Sequence, residues 1–244
     1  MIAPEMTGAI INALGIVIGG VAALAAKKPV PPQIQNMLRT ILGAAIVWFG
    51  LKLTWMSLNG SFAQMMKQLV IVLLAMTLGQ FMGKLLRLQK FSNRLGQYAT
   101  GILQSPAADP PFHVGFVLGS ALFCAGPLAI LGSVQEGLDD LSPVLVVKTI
   151  IDGMTAMSFA MTFGWSVIVS AIPVLAFEGA IIRGTALAAV SLGRSPIPLF
   201  DSIAATDGLL IFSVALIILE VRKIAVADYL PSLALAPFLT WIFK

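Results

Sequence analysis

The sequence predicts an all-α fold, a polytopic membrane helix bundle of seven or eight transmembrane helices forming a single domain over residues 1–244. The first observation is composition: 58% of the residues are apolar and 11% are charged, against about a quarter charged in soluble domains. The second is the mean hydropathy of +0.96. The third is that the apolar residues form continuous runs, which favour helices over the alternating pattern of a β-barrel. Such a chain excludes a soluble enzyme, a disordered tail and an ordinary DNA-binding domain, so we expect contact with a lipid bilayer and none with nucleic acid.

Eight apolar stretches follow one another, each bounded by polar residues or prolines, and each is near the roughly 20 residues that a spanning helix needs. They cover residues 8–26, 34–57, 64–86, 112–132, 143–171, 172–192, 199–220 and 224–243. The fifth and sixth stretches, with Pro173 between them, leave open one span followed by a re-entrant segment. Residues 84–111 carry four basic residues and then three prolines, which predicts an amphipathic interfacial connection that ends in a turn.

Basic residues predict the orientation of the chain. Lys27 and Lys28 lie between the first two stretches, with Arg39 near the start of the second, and the basic cluster Lys84–Arg94 runs from the end of the third stretch towards the fourth. The positive-inside rule places both connections in the cytoplasm and the N-terminus outside. The acidic segment 135–140 is then an outside loop. The rule does not decide between seven and eight spans, nor the side of the C-terminus.

The two ends of the chain share short patterns. Gly8-Ala9-Ile10-Ile11 reads the same as Gly179-Ala180-Ile181-Ile182, and Pro31 precedes Gly43 by the same distance as Pro196 precedes Gly208. These matches pair spans one to three with spans six to eight, which would make an inverted repeat of the kind found in transporters. Chance similarity in a chain rich in Gly, Ala and Ile is the alternative.

The fourth stretch contains a helix-breaking pair. Gly126-Pro127 interrupts an apolar run, and proline removes one backbone hydrogen bond from a helix. The carbonyls that a break frees cannot face lipid, so they line a cavity or are buried in protein. Ser120 and Ser133 flank the pair and could join these carbonyls in binding a solute. A structural kink packed by small residues is the alternative.

Charged residues within the later stretches are the best candidates for a site. Lys148 and Asp152 stand four apart and can form an ion pair on one helix face, although Lys148 at a helix start could instead reach the head groups. Asp152 is deeper, where a charge is costly and must face the protein interior. Glu178 and Arg183 each need a partner on another span, and Asp152 is one that Arg183 could reach; a membrane-edge position is the alternative for Glu178. Asn12 lies on a helix face with small residues.

Other motifs are few. One cysteine and one histidine exclude internal disulfides and the usual metal clusters. No phosphate-binding loop, dinucleotide fingerprint or HExxH motif occurs. We therefore expect no metal, no cofactor and no enzyme activity.

With these residues in view, the chain resembles a prokaryotic multi-pass membrane family, domain of unknown function 554, over essentially its whole length. The resemblance is carried by Phe123–Leu138 (FCAGPLAILGSVQEGL), Lys148–Gly153 (KTIIDG), Asn12 with Gly15 and Gly19-Gly20, and Tyr229–Leu233 (YLPSL). It implies a plasma (inner) membrane protein with a transporter-like role and gives no substrate. The family pattern has Gln where this chain has Glu178, which puts Glu178 in doubt as a shared site residue.

The expected function is that of a secondary transporter or channel for a small polar or ionic solute. Its path would run between the broken fourth span and the face of Lys148 and Asp152, with Asp152 binding a cation or proton. The alternative is a non-transporting scaffold in which the polar groups only join helices. Faces of small residues permit a homodimer without requiring one.

Overall fold

The computed structural model describes residues 6–26, 31–104, 112–138, 142–191 and 198–243. These residues form helices joined by short connections, and no β-strand occurs among them. The helices are α1 (Thr7–Ala26), α2 (Pro32–Ser57), α3 (Phe62–Leu86), α4 (Leu88–Gln104), α5 (Phe112–Ala125), α6 (Pro127–Leu138), α7 (Pro143–Phe163), α8 (Ser166–Val169), α9 (Ala171–Ser191), α10 (Pro198–Ile218), a 3₁₀ turn (Val226–Tyr229) and α11 (Ser232–Ile242).

Within the part of the chain that the structure describes, six helices are long and apolar enough to cross a membrane, and the bent pair of α5 and α6 makes a seventh if it counts as one crossing. The polytopic helical bundle predicted from composition is therefore confirmed. The eighth apolar stretch forms the 3₁₀ turn and α11, which together are shorter than the other spans. The sequence predictions that fall outside the described residues concern Lys27, Lys28, Pro196, the turn at residues 105–111, and Asp139-Asp140.

Local chemistry explains where several helices begin. Ser61 caps α3 and exchanges hydrogen bonds with Gln64 in a capping box, which satisfies two backbone donors at the helix start. Ser142 caps α7, and Pro143 occupies its first position, where a missing N–H has no consequence. Arg87 adopts a left-handed conformation at the end of α3, so the chain turns there into α4, which lies within the amphipathic connection expected at residues 84–111.

The boundary between the fifth and sixth spans differs from the prediction. It lies at Gly164, not near Pro173, because Gly164 has a φ of +67° that a glycine adopts without strain. Pro173 sits in the first turn of α9, where proline is tolerated. Two helices of spanning length result, Pro143–Phe163 and Ser166–Ser191, which favours two spans over one span with a re-entrant segment.

The described contacts divide the chain into two compact units. Unit 1 comprises Met1–Met37 and Ser92–Ala186, and unit 2 comprises Leu38–Phe91 and Leu187–Lys244. Each unit therefore combines segments from distant parts of the sequence. The single domain of the sequence analysis stays a prediction.

In unit 1, α1 and α7 pack backbone to backbone and run in the same direction. Gly8 faces Leu145, Gly15 faces Thr149 and Gly19 faces Gly153, so positions rise together along both helices. A methyl group on Gly19 would overlap the carbonyl of Gly153. Small residues permit this approach, which brings the polar side chains of the two helices within reach of each other.

In unit 2, α2 and α10 cross with opposite directions. Gly43 faces Leu219, whereas Gly50 and Thr54 face Gly208. The sequence alignment that pairs Pro31 with Pro196 also pairs Gly43 with Gly208 and Thr54 with Leu219. Under this alignment, the contact between Gly43 and Leu219 corresponds to the contact between Gly208 and Thr54. This reciprocity is what two inverted copies would produce, and the inverted repeat itself stays a prediction.

The same unit holds the end of the chain against α3 and α10. Gly79 faces Ser232 and Gly83 faces the backbone of Asp228, so α11 runs opposite to α3. The hydroxyl groups of Ser202 and Thr240 lie 2.5 Å apart. Because Ser202 is near the start of α10 and Thr240 near the end of α11, α11 returns along much of the length of α10.

Replacing Gly19 with alanine should destabilise the protein, because the new methyl group must displace the backbone of Gly153. We expect a loss of about 1–3 kcal/mol, the range for overpacked sites, seen as a lower melting temperature in detergent. Gly184→Ala is the matched control, since a methyl group there meets nothing within 4 Å, and it should be neutral or stabilising by up to ~1 kcal/mol. Equal melting temperatures for both variants would contradict the close α1–α7 crossing.

A buried charge cluster as candidate functional site

Four polar side chains from three helices of unit 1 meet inside the protein. They are Asn12 of α1, Lys148 and Asp152 of α7, and Glu178 of α9, and we call them the charge cluster. Asn12 and Glu178 are 0% exposed, Lys148 is 2% exposed and Asp152 is 7% exposed. All four belong to helices long and apolar enough to span a membrane.

Lys148 and Asp152 form the ion pair that their spacing predicts. The Lys148 ammonium donates to Asp152 Oδ2 one turn along α7. The alternative in which Lys148 extends to the head groups is wrong, because its side chain is buried and committed to this contact. Asp152 faces the protein interior, as the cost of a charge in lipid requires.

Glu178 joins the cluster from α9. Its Oε1 atom lies 3.2 Å from Lys148 Nζ and accepts a hydrogen bond of 2.9 Å from Asn12 Nδ2. The same Asn12 nitrogen lies 3.3 Å from Asp152 Oδ2. Asn12 therefore bridges the two carboxylates, and the membrane-edge position considered for Glu178 is wrong.

The electrostatics of the cluster are unbalanced. One ammonium group faces two carboxylates, so the cluster has a net charge of −1 when both acids are ionised. Removing charges from water costs several kcal/mol for each ion even in real proteins, and pairing offsets this only where opposite charges match. An excess charge in such a place is therefore unusual and points to chemistry beyond holding helices together.

The helix break lies next to this cluster. Helices α5 and α6 are bent by 57° at Gly126-Pro127, so the predicted break is confirmed. Cys124, three residues before Pro127, packs against the apolar cluster that includes Ala13, Ala156 and Val174, each within one turn of a residue of the charge cluster. Because Pro127 has no N–H, the carbonyl of Phe123 lacks its ordinary helical donor.

The two serines that flank the break differ in their bonding. Ser120 is partly buried and donates a 2.6 Å hydrogen bond to the carbonyl of Phe116 in its own helix. Ser133 is 0% exposed, and its hydroxyl has no hydrogen-bond partner among the described residues. The structure thus places both on the two halves of the broken helix, and their role in binding a solute stays a prediction.

Arg183 is not part of the cluster. Its side chain is exposed, and its Nε atom lies 3.3 Å from Met6 Sδ. The suggested contact with Asp152 does not form, because Lys148 occupies that carboxylate from the same helix. Arg183 stands five residues after Glu178, which turns it to a different side of α9.

Glu136 is a buried acid that sequence reasoning assigned to an outside loop. It lies in α6 and is 1% exposed, and its Oε1 atom accepts a 2.8 Å hydrogen bond from the backbone N–H of Gly8. The carboxylate thereby satisfies one of the free donors at the start of α1, where negative charge is favourable. Because Gly8 has no side chain, the carboxylate can approach its backbone N–H. This glycine is the sequence signal that could have suggested the contact.

The described residues contain no group of three or more His, Cys, Asp or Glu side chains that could hold a metal ion. The charge cluster has two carboxylates and an amide beside an ammonium group. That mixture suits a proton, a monovalent cation or a small charged solute better than a divalent metal, since the lysine repels high positive charge.

The helices and their buried charges define a polytopic membrane protein. Residues 7–241 match the family described as "Protein of unknown function (DUF554)", and the chain belongs to that family. It is 27% identical to "Uncharacterized membrane protein YdfK" of Bacillus subtilis (strain 168), covering 97% of this chain and 96% of that protein. It is 28% identical to "Uncharacterized protein YqgA" of Escherichia coli (strain K12), covering 94% of each. No solved structure matches the chain.

Lys148→Met should be among the most damaging substitutions in unit 1, because it leaves two buried carboxylates without a cation. Breaking a buried ion pair from one side costs about 3–5 kcal/mol, which should appear as a large drop in melting temperature. Asp152→Asn should cost less, since Lys148 keeps Glu178 as a partner at 3.2 Å. Lys67→Met, at an exposed position on α3, is the control. Comparable stabilities for the Lys148 and Lys67 variants would contradict this prediction, because they would mean that water reaches the cluster and compensates the two carboxylates.

Proposed function

We propose that the protein is a secondary transporter or channel that moves a small polar or ionic solute across the bacterial plasma membrane. The observation that carries this proposal is the buried cluster of Lys148, Asp152, Glu178 and Asn12 within spanning helices, beside a helix broken at Gly126-Pro127. Intramembrane charges and interrupted helices mark the solute and ion pathways of transporters.

Each part of the site has a role in this proposal. The break at Gly126-Pro127 offers backbone carbonyls, and the Ser133 hydroxyl offers a buried polar atom without a partner among the described residues. Asp152 supplies the charge that attracts a cation or a positively charged part of the solute. Lys148 holds Asp152 in place and keeps the empty site from carrying two uncompensated negative charges.

A non-transporting scaffold is the alternative, in which the same polar groups only join α1, α7 and α9. A scaffold requires no ligand, whereas a transporter binds its solute and is stabilised by it in proportion to occupancy. A thermal-shift screen of small polar solutes therefore separates the two classes before any uptake measurement.

Asp152→Asn should abolish uptake of the stabilising solute into proteoliposomes, because the amide keeps the shape of the side chain and removes its charge. Purified wild type and variant are compared at equal amounts, with melting temperature checked first. Asp201→Asn, in the first turn of α10, is the matched control and should retain uptake. Unchanged uptake by the Asp152 variant would remove this carboxylate from the mechanism.

We further propose eight crossings with both termini outside. Helices α1 and α7 run in the same direction, which requires an odd number of crossings between them; α2, α3 and the bent α5–α6 pair supply three. Helix α11 runs opposite to α3 and returns along α10, as an eighth span would. The basic connections between spans then face the cytoplasm, in agreement with the positive-inside rule.

Reporter fusions test this topology. Alkaline phosphatase joined after Lys244 should be active and green fluorescent protein at the same point should be dark, because only the former works outside the cytoplasm. Fusions after Leu86, at the end of the third span, should give the reverse result. A fluorescent C-terminal fusion would show seven crossings and remove the support for spans six to eight as an inverted copy.

A further inference from the structure

Among the described residues, the charge cluster is short of one positive charge. Lys148 and Asp152 stand one turn apart on α7 and form an ion pair, so this pair is neutral by itself. Glu178 arrives from α9 as a second carboxylate, 3.2 Å from the same ammonium group. The excess negative charge therefore belongs chiefly to Glu178.

A second observation is independent of the charge count. Glu178 Oε2 and Asn12 Oδ1 are both buried, and neither has a hydrogen-bond partner among the described residues. An amide oxygen and an ionised carboxylate oxygen can only accept, and buried acceptors without donors are rare and costly in proteins. Their residues are 0% exposed, and they are neighbours through the Asn12 Nδ2 to Glu178 Oε1 hydrogen bond of 2.9 Å.

We propose that Glu178, with Asn12, forms the site of one exchangeable monovalent cation, either a proton or Na⁺. One positive charge neutralises the cluster, and a cation or its water supplies the partner that the two oxygen atoms lack. This inference deepens the proposed function, because it assigns the coupling ion to Glu178 of the same cluster, not to Asp152. Among the described residues, the ionisable groups around Glu178 are Lys148 of α7, in direct contact, Asp152 of α7, joined to it through Asn12, and Cys124 of α5, in the neighbouring apolar cluster.

The proposal has a physical consequence for the bundle. With the cation bound, the four side chains are neutral and can remain in a dry interior at low cost. When the cation leaves, the uncompensated Glu178 favours water or another positive group at that place. Cation loss and entry of a solute are then linked through a single side chain.

The experiment measures the cation without any solute, on the purified full-length chain in detergent. One arm measures binding of radioactive Na⁺, and the other records the infrared band of a protonated carboxylic acid as a function of pH. We expect one of these signals, equivalent to about one cation per chain, and its loss in Glu178→Gln. Glu220→Gln is the matched control, because Glu220 is exposed and pairs with Arg39, and it should leave the signal unchanged.

The two arms distinguish the sources of the charge. Saturable Na⁺ binding identifies a metal cation, and a carboxylic acid band without Na⁺ binding identifies a proton. Absence of both signals, or a signal that persists in Glu178→Gln and disappears in Asp152→Asn, would overturn the proposal.

Wild-type protein gives a test that needs no variant. Replacing choline with Na⁺, or lowering the pH, should raise its melting temperature, because a ligand that binds the folded state stabilises it. If neither change has an effect, the proposal is wrong even if Glu178→Gln fails to fold.

Failure of this inference can be distinguished from failure of the proposed function. Loss of uptake in Asp152→Asn with no cation signal contradicts only this inference. A cation signal without solute uptake contradicts only transport.

Discussion

A charge placed in a lipid-like interior must find an opposite charge, and this constraint organises unit 1. Lys148 has two carboxylate neighbours, one on its own helix and one on α9. Asn12 supplies the donors that hold these carboxylates together from α1. Three helices are thereby fixed relative to one another by four side chains, and apolar packing fills the remaining space around Ile16, Phe123 and Val174.

Glycine makes this arrangement possible. The Asn12 amide reaches Asp152 only because α1 and α7 approach at Gly15, Gly19 and Gly153. A larger residue at these positions would hold the helices apart and lengthen the hydrogen bonds beyond a useful distance. In membrane proteins, where lipid and apolar side chains are equally oily, close packing and polar contacts replace the hydrophobic effect as the force between helices.

Local features of the fold and of the site could be predicted from the sequence, and features that depend on distant partners could not. The Lys148–Asp152 pair follows from a spacing of four, and the break follows from Gly126-Pro127. Glu178 carried a charge without a visible partner, because its neighbours come from helices far away in sequence. Glu136 was misplaced for a similar reason: it begins an acidic run that is typical of loops, yet α6 continues through it and buries it against α1. The direction of Arg183 also depended on what packs against α9.

The hydrogen bond between Glu136 and Gly8 connects the second half of the broken helix to the start of α1. Glu136 lies on the half of the helix beyond the bend, and Gly8 lies one turn before Asn12 on α1. The position of α6 beyond the bend and the position of the start of α1 are therefore coupled by this hydrogen bond. Because Asn12 hydrogen-bonds Glu178 and Asp152 from the next turn of α1, α1 is the connection between the bent helix and the two carboxylates.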